Sequence, residues 1–402
     1  MCYNCSKEIR VIKVYKTKKE WLEENKVNNK RDENLLSLAY DTIMGNVYGR
    51  EGYPWSPLRG ISPGKNHFEG IWNWDAAFHS VGVSRWDTEL SKEGVFGFFK
   101  YQCENGKLPD VKFEDGTLQD LFSKPPVFAW ACEIIYKNGG DIDFLKEIYP
   151  KLVLNCRWWE KNRKYNEMFY YDSDEEKGTE EYERHARFES GWDNSPRWDK
   201  GINRLWPVDL NCFVFMTYKS LSYISDKLSL FDDSKEWENK STTLEKLINE
   251  KLWDDKNKYY ADCDRFTGEI SDVLTPASFM PLYIKIADID RAECMNELAK
   301  TKFEYNMPTV SFDNPAYSTE YWRGPVWLNT AYFAAKGLKN YDFETADKIK
   351  ENILEMCGKY SNNIYENYDA RTGKGLCCDH FSWSGVFVIE FILNFEKWNF
   401  RE

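Results

Sequence analysis

Long apolar runs are missing from this chain of 402 residues. The most apolar stretch, Val386 to Leu393, is broken by Glu390 and falls far short of the ~20 residues that cross a bilayer. The opening segment, MCYNCSKEIRVIKVYKTKKEW, holds no uninterrupted apolar region of the kind a leader needs. Basic clusters are missing too. With 54 Lys and Arg against 66 Asp and Glu, the net charge is −12. That balance repels nucleic-acid phosphates and anionic lipid surfaces. Neither nucleic acid nor membrane is an expected partner. Histidine is scarce: His67, His79, His185 and His380 stand isolated, so a histidine metal site or triad can arise only through folding. Phosphate-cradling glycine motifs, HExxH and G-x-S-x-G are all absent. No Pro/Gly/Ser-rich linker or low-complexity tract marks a boundary. Residues 1–30 are expected to be an extension and 31–402 a single domain.

Cysteine is present in an odd number, eleven. Most sit singly in apolar stretches, as Cys132, Cys156, Cys212 and Cys294 do, where a thiol behaves as a small hydrophobe. Reduced thiols and a cytoplasmic location are expected. Cys2 and Cys5 form one CxxC, and Cys377 and Cys378 are adjacent. These are not the two spaced pairs of a four-cysteine zinc site.

Aromatic residues are abundant: 17 Trp, 25 Tyr and 25 Phe. Most serve a large core; those beside polar motifs suit stacking on flat ligand faces. Helical periodicity dominates. Leu210, Phe213, Thr217, Leu221, Ile224 and Leu228 step by three or four along one face. Similar stretches fall at 34–44, 75–86, 90–104, 127–138, 143–163, 235–253, 276–287, 289–301, 326–338, 342–357 and 383–396. Between them lie long loops at 50–74, 105–126, 170–206, 303–325 and 358–382, and loops of that length are usually functional. The pattern predicts an all-α fold: antiparallel helix pairs in a ring, with loops at one end lining a pocket.

Three loop segments concentrate carboxylates among tryptophans. The densest is Glu189-Ser190-Gly191-Trp192-Asp193-Asn194-Ser195-Pro196-Arg197-Trp198-Asp199, read as a rigid loop from its Pro and Gly punctuation. A carboxyl beside Trp192 would lie in a low dielectric, which raises its pKa and lets it act as an acid near neutrality. Tyr365-Glu366-Asn367-Tyr368-Asp369 runs on to His380-Phe381-Ser382-Trp383. Pro63-Gly64-Lys65-Asn66-His67-Phe68 leads to Trp72-Asn73-Trp74-Asp75. Residue types alone leave helix capping or ion pairing open for Asp193, Glu366 and Asp75. Two further loops hold Glu104-Asn105-Gly106-Lys107-Leu108-Pro109-Asp110 with Ser123-Lys124-Pro125-Pro126, and Tyr321-Trp322-Arg323-Gly324-Pro325. The Arg323 fork suits hydroxyl or carboxylate recognition, or equally an internal ion pair. Carboxylates, aromatics, Arg and Asn are the tools of glycoside hydrolysis.

The segment ESGWDNSPRWD resembles the ESG-x-D-x-S motif shared by trehalases and family 63 glycoside hydrolases. PGKNHF…WNWDAAFH, NGKLPD, SKPPVFAW, YWRGPVW and ENYD…HFSWSG resemble the other motifs of that group, in order, over most of the chain. The resemblance implies an (α/α)6 barrel and inverting hydrolysis of a small α-linked carbohydrate, with no metal or cofactor required. By motif position it implies Asp193 as general acid and Glu366 as general base. Trp74, Asp75, Asn105, Lys124, Trp192, Arg323 and Trp383 would bind substrate. Lys124 stands where trehalases usually show Gln, and Asn73-Trp74 and Asn194 look more like family 63. The compact size resembles the bacterial branch with mannosylglycerate and glucosylglycerate hydrolases. An anionic leaving group there implies a cationic neighbour, for which Arg197 and Arg204 are candidates, although surface ion pairing is the more ordinary role for either.

Overall fold

A computed structural model describes residues 15–396. The Cys2–Cys5 pair therefore lies outside the described residues. Six helical segments form a closed inner ring: Asn73–Val83, Phe128–Gly139, Val208–Lys227, Met280–Tyr283 with the 3-10 turn Pro276–Phe279 before it, Leu328–Lys339 and Ser382–Leu393. Each packs on the next, and the last packs back on the first. An outer layer covers them. Lys30–Gly45 lies on Ser382–Leu393, Thr88–Phe99 on Asn73–Val83, Ile142–Asn162 across Phe128–Gly139 and Val208–Lys227, Phe231–Lys251 on Val208–Lys227, and Glu344–Gly358 on Leu328–Lys339. Ile289–Thr301 leans on Glu344–Gly358. This is the (α/α)6 barrel.

Sequence decides which helices go inside. Every residue of Asn73–Val83 is buried, so this helix is covered on all sides. Phe231–Lys251 buries Trp237, Ser241, Leu244 and Ile248, a single stripe at helical spacing with charge elsewhere. At the centre of the ring Phe78 meets Trp74, Trp130, Phe333, Trp383 and Phe387, at centroid distances of 5.1 to 6.4 Å.

Two helices escape the periodicity reading. Lys18–Glu24 packs Trp21 on Tyr40 and Trp86, so this part of the N-terminal extension docks on the barrel. Glu180–Ser190 lies inside the stretch expected to be loop. Its buried positions, Tyr182, His185, Ala186 and Glu189, keep a helical step, but they are too polar to give an apolar signal. Glu189 and Ser190 are accordingly the last turn of a helix, not part of a loop. Strands are confined to short antiparallel ribbons. The three-stranded ribbon Gly70–Trp72, Val111–Phe113 and Leu118–Gln119 matters most, because it runs directly into the inner helix at Asn73. Among the described residues no helix is long and apolar enough to cross a membrane, and nine cysteines stand unpaired.

Phe78→Ala empties the middle of the inner ring. Its expected effect is a loss of about 3–5 kcal/mol of unfolding free energy, measured by urea denaturation.

Candidate active site

The segments holding the motif residues feed the N-termini of inner helices. Helix Glu180–Ser190 ends at Gly191, which has φ +74° and donates its N–H to Phe188 O. A Cβ at this position would stand 2.4 Å from Trp74 Cζ2. Glycine is required here on both counts. The chain then turns through Trp192 and Asp193. Trp192 is held between the Trp322 ring, 5.0 Å away, and the Arg197 guanidinium at 4.9 Å. Its carbonyl accepts from Trp198 Nε1 at 2.9 Å and from Ser195 N at 2.9 Å. Arg197 is buried and binds two carboxylates. It donates to Asp209 at 2.7 and 3.0 Å and to Asp262 at 2.8 and 2.9 Å. Glu189, also buried, accepts from Arg163 Nε at 2.9 Å, Asp172 N at 2.8 Å and Ser123 N at 3.2 Å. The Asp193 turn is thus tied to the barrel on both sides.

Glu366 is buried just ahead of the ribbon strand Asn367–Tyr368. Its backbone N–H donates to Cys378 O at 2.8 Å. Its carboxylate accepts from Cys378 N at 3.2 Å and from the Tyr321 hydroxyl at 3.0 Å. The segment 321–323 links the two carboxyls. Tyr321 holds Glu366, Trp322 N donates to Asn194 Oδ1 at 2.8 Å, and Arg323 donates to Asn194 O at 3.0 Å.

A third group completes the cluster. Asp75, in the first turn of the inner helix, is buried. Asp110 is fixed beside that helix start, since Asn73 N donates to Asp110 O at 2.8 Å and Asn73 Nδ2 to Pro109 O at 2.7 Å. Lys124 Nζ stands 3.5 Å from Asp110 Oδ1 and also donates to Phe188 O. Three of the four carboxyls, Asp75, Asp110 and Asp193, therefore share one lysine. Burial comes first in raising each of their pKa values. Asp75 is pushed up to about 8, against the pull of Lys124 and with a further push from Asp110 and Glu366. Asp110 rises to about 6, with Lys124 opposing and Asp193 adding. Glu366 rises to about 7, moderated by the Cys378 and Tyr321 hydrogen bonds and increased by the Asp193 charge. Asp193 is raised by burial against the field of Lys124.

The structure brings Asp193, Glu366, Asp75 and Lys124 into one electrostatic unit. Trp74 and Trp383 meet edge to face at 5.2 Å, and Trp383 touches Trp327 at 5.5 Å. Two expected binding residues are engaged with other protein groups. Asn105 is exposed and accepts from Lys107 N at 3.0 Å, which closes its own turn. Arg323 makes a two-pronged ion pair with Asp199 at 2.8 and 3.0 Å, so its fork is spent on bracing the Asp193 loop. Arg197 is a buried tether, not a surface ion pair, and Arg204 is paired with Asp264 at 2.7 Å. Sequence reading passed over Tyr321, Asp110 and Asn194, each of which lies inside a motif but matters through a partner distant in the chain.

Two expectations follow. In the folded state Asp75, Asp110 and Glu366 keep protons that the unfolded chain releases near pH 4. Their stabilising contribution is full at low pH and is lost as pH rises towards the folded values. Asp75→Asn removes one such group and is expected to flatten the fall in Tm between about pH 5 and about pH 8, read by calorimetry. Gly191→Ala forces both a left-handed alanine and a clash with Trp74. Its expected cost is about 1–3 kcal/mol, with loss of turnover because the clash moves the Asp193 turn.

Comparison with known proteins agrees with this architecture. The family model for the mannosylglycerate hydrolase MGH1-like glycoside hydrolase domain matches residues 69–384. The mannosylglycerate hydrolase of Rubrobacter radiotolerans is 24% identical across 82% of this chain and 92% of its own length. A periplasmic trehalase of Salmonella schwarzengrund is 26% identical over 77% of this chain and 60% of its own. The crystal structure of a family 63 mannosylglycerate hydrolase from Thermus thermophilus in complex with glucose superposes with a TM-score of 0.75 at 23% identity, covering 89% of this chain and 99% of that one. With most of its length matched by that model, and with the barrel to go with it, the chain belongs to the MGH1-like family of glycoside hydrolases, on the bacterial, trehalase-like side of family 63.

Proposed function

We propose that this glycoside hydrolase inverts the anomeric centre of a small α-mannoside or α-glucoside, with Asp193 as general acid and Glu366 as general base. The observation that carries the reading is that the half-buried Asp193 acts on the buried Glu366, while residues 321–322 tie the Asp193 turn to the Glu366 carboxylate. The Asp193 charge raises Glu366, and both sit above the usual carboxylate range. The proposed working form has one of the two protonated and the other ionised. That is the state inversion needs: an acid to protonate the glycosidic oxygen and a base to take a proton from the attacking water. The Tyr321 hydroxyl and the Cys378 N–H stabilise the ionised form of Glu366, which favours it as the base. Trp74, Trp192 and Trp383 supply apolar walls, and Asp75, Asp110 and Lys124 supply hydroxyl partners. Free thiols fit a cytoplasmic setting.

Glycosylglycerates come first among substrates because the curated relatives include mannosylglycerate hydrolases. A second reading has its own support. Arg197 and Arg204 are each occupied by carboxylates, so neither is free to meet an anionic leaving group. A neutral diglucoside, as in a trehalase, would not require one.

Glycosyl fluorides separate the two roles, because fluoride departs without an acid. Asp193→Asn is expected to lose turnover of the natural glycoside by about 10²–10⁴-fold yet keep most of its activity on the matching α-glycosyl fluoride. Glu366→Gln is expected to lose both. Removing the Asp193 charge also lowers the Glu366 pKa, so the acid limb of the fluoride reaction should move to lower pH in Asp193→Asn. Equal loss on both substrates in both variants rejects the assignment. A panel of mannosylglycerate, glucosylglycerate, trehalose, kojibiose and nigerose, followed by NMR of the first-formed anomer, identifies the substrate and tests inversion.

A further inference from the structure

Next to Cys378, whose N–H donates to the proposed base at Oε2 while Tyr321 donates to Oε1, three side chains of different chemistry converge. Ligand atoms of His67, Cys378 and Asp379 all lie within 4.8 Å of one another. They come from two segments far apart in sequence. His67 closes the turn after Pro63, its N–H donating to Gly64 O at 2.9 Å. Cys378 and Asp379 follow the ribbon strand Gly375–Leu376. Gly64 makes the approach possible, since a Cβ there would stand 2.8 Å from Cys378 Sγ. The His380 ring nitrogen Nδ1 lies 3.4 Å from Asp379 Oδ1, where it can orient that carboxylate. Cys378 is buried, while His67 is exposed and open to solvent.

We propose that His67, Cys378 and Asp379 form a binding site for a borderline-soft divalent cation, zinc in the first instance, and that its occupancy inhibits the enzyme. One sulfur, one imidazole nitrogen and one carboxylate oxygen are the donor set that zinc accepts, with solvent in the fourth tetrahedral position. Hard cations such as calcium and magnesium prefer all-oxygen sites. On binding, the thiol proton passes to solvent and Sγ gives up its contact with Asp379 O, which stands at 3.0 Å. The inhibitory part rests on Glu366 being the base, because Cys378 would give its sulfur to the metal and gives its backbone N–H to the Glu366 carboxylate. Metal binding itself does not depend on that reading.

The test uses the full chain with Cys2→Ser and Cys5→Ser, so that the N-terminal CxxC cannot contribute. Zinc is titrated by calorimetry, and cobalt is added in parallel to read the thiolate–metal charge-transfer absorption. One equivalent of each is expected to bind, with the charge-transfer band present, and turnover is expected to fall with zinc and return with EDTA. His67→Ala and Asp379→Asn should each weaken zinc by at least about tenfold while keeping turnover in EDTA unchanged. Cys378→Ser should abolish the cobalt thiolate band. Absence of stoichiometric binding, or binding and a band that persist unchanged in His67→Ala and Asp379→Asn, overturns the site. Stoichiometric binding with undiminished turnover overturns the inhibitory coupling. Failure of the glycoside panel leaves the cobalt spectrum as an independent reading of the site.

Discussion

The charge of Asp193 is felt at Glu366 in a protein interior that resists charge, and much of the surrounding architecture answers that constraint. Two carboxylates buried together repel, and burial penalises each ionised form. The barrel responds with few countercharges. Lys124 is the cation whose field reaches Asp75, Asp110 and Asp193. The remaining excess of negative charge is met by protonation. A cluster that retains protons near neutrality is poised for acid–base work, which a fully ion-paired cluster would not be. The inner ring adds a second contribution, because Asp75 lies in the first turn of its helix, where the macrodipole is positive and favours a carboxylate.

Fixing these groups is a separate task from charging them. The proposed acid sits on a turn and the proposed base beside a two-residue strand, neither of which is rigid alone. Rigidity comes from buried ion pairs placed one layer away. Arg197 joins the Asp193 turn to Asp209 at the start of an inner helix and to Asp262. Arg163 and Glu189 join the helix before that turn to the neighbouring loops. Buried pairs of this kind add little net stability against an apolar substitute, yet breaking one partner is severe. Their value lies in geometry. Arg323 plays the same part closer to the surface: it grips Asp199 and Asn194 O while its neighbour Tyr321 grips Glu366. One short segment thereby sets the relation between acid and base.

The fold was largely legible in the sequence because inner and outer helices carry different burial patterns. The helix Glu180–Ser190 was not, since it buries Tyr182, His185 and Glu189, which no hydrophobic count rewards. The candidate site was legible where its groups sit in local strings, as with Asp193 and Glu366, which residues 321–322 link in the fold. It was less legible where a residue's partner lies elsewhere. Arg323 has the chemistry of a ligand-binding fork, and only the approach of Asp199 shows the fork to be occupied. Asn105 follows the motif but faces its own turn. Asp110 gains its place from a ribbon pairing with residues 70–72 that spacing cannot announce.

The aromatic surplus now has a physical reason. A ring of six inner helices surrounding a cluster of neutralised carboxyls must offset the desolvation of that cluster with apolar contact close by. Phe78, Phe333 and Phe387 pack on one another, and Phe78 packs on Trp74 and Trp383. Trp74 thus packs on Phe78 on the core side while standing next in sequence to Asp75. Burial in this aromatic-rich interior is what raises the Asp75 and Glu366 pKa values. Core packing and acidity are therefore one property of this barrel: loosening the aromatic column would admit water and return the buried carboxyls towards ordinary ionisation.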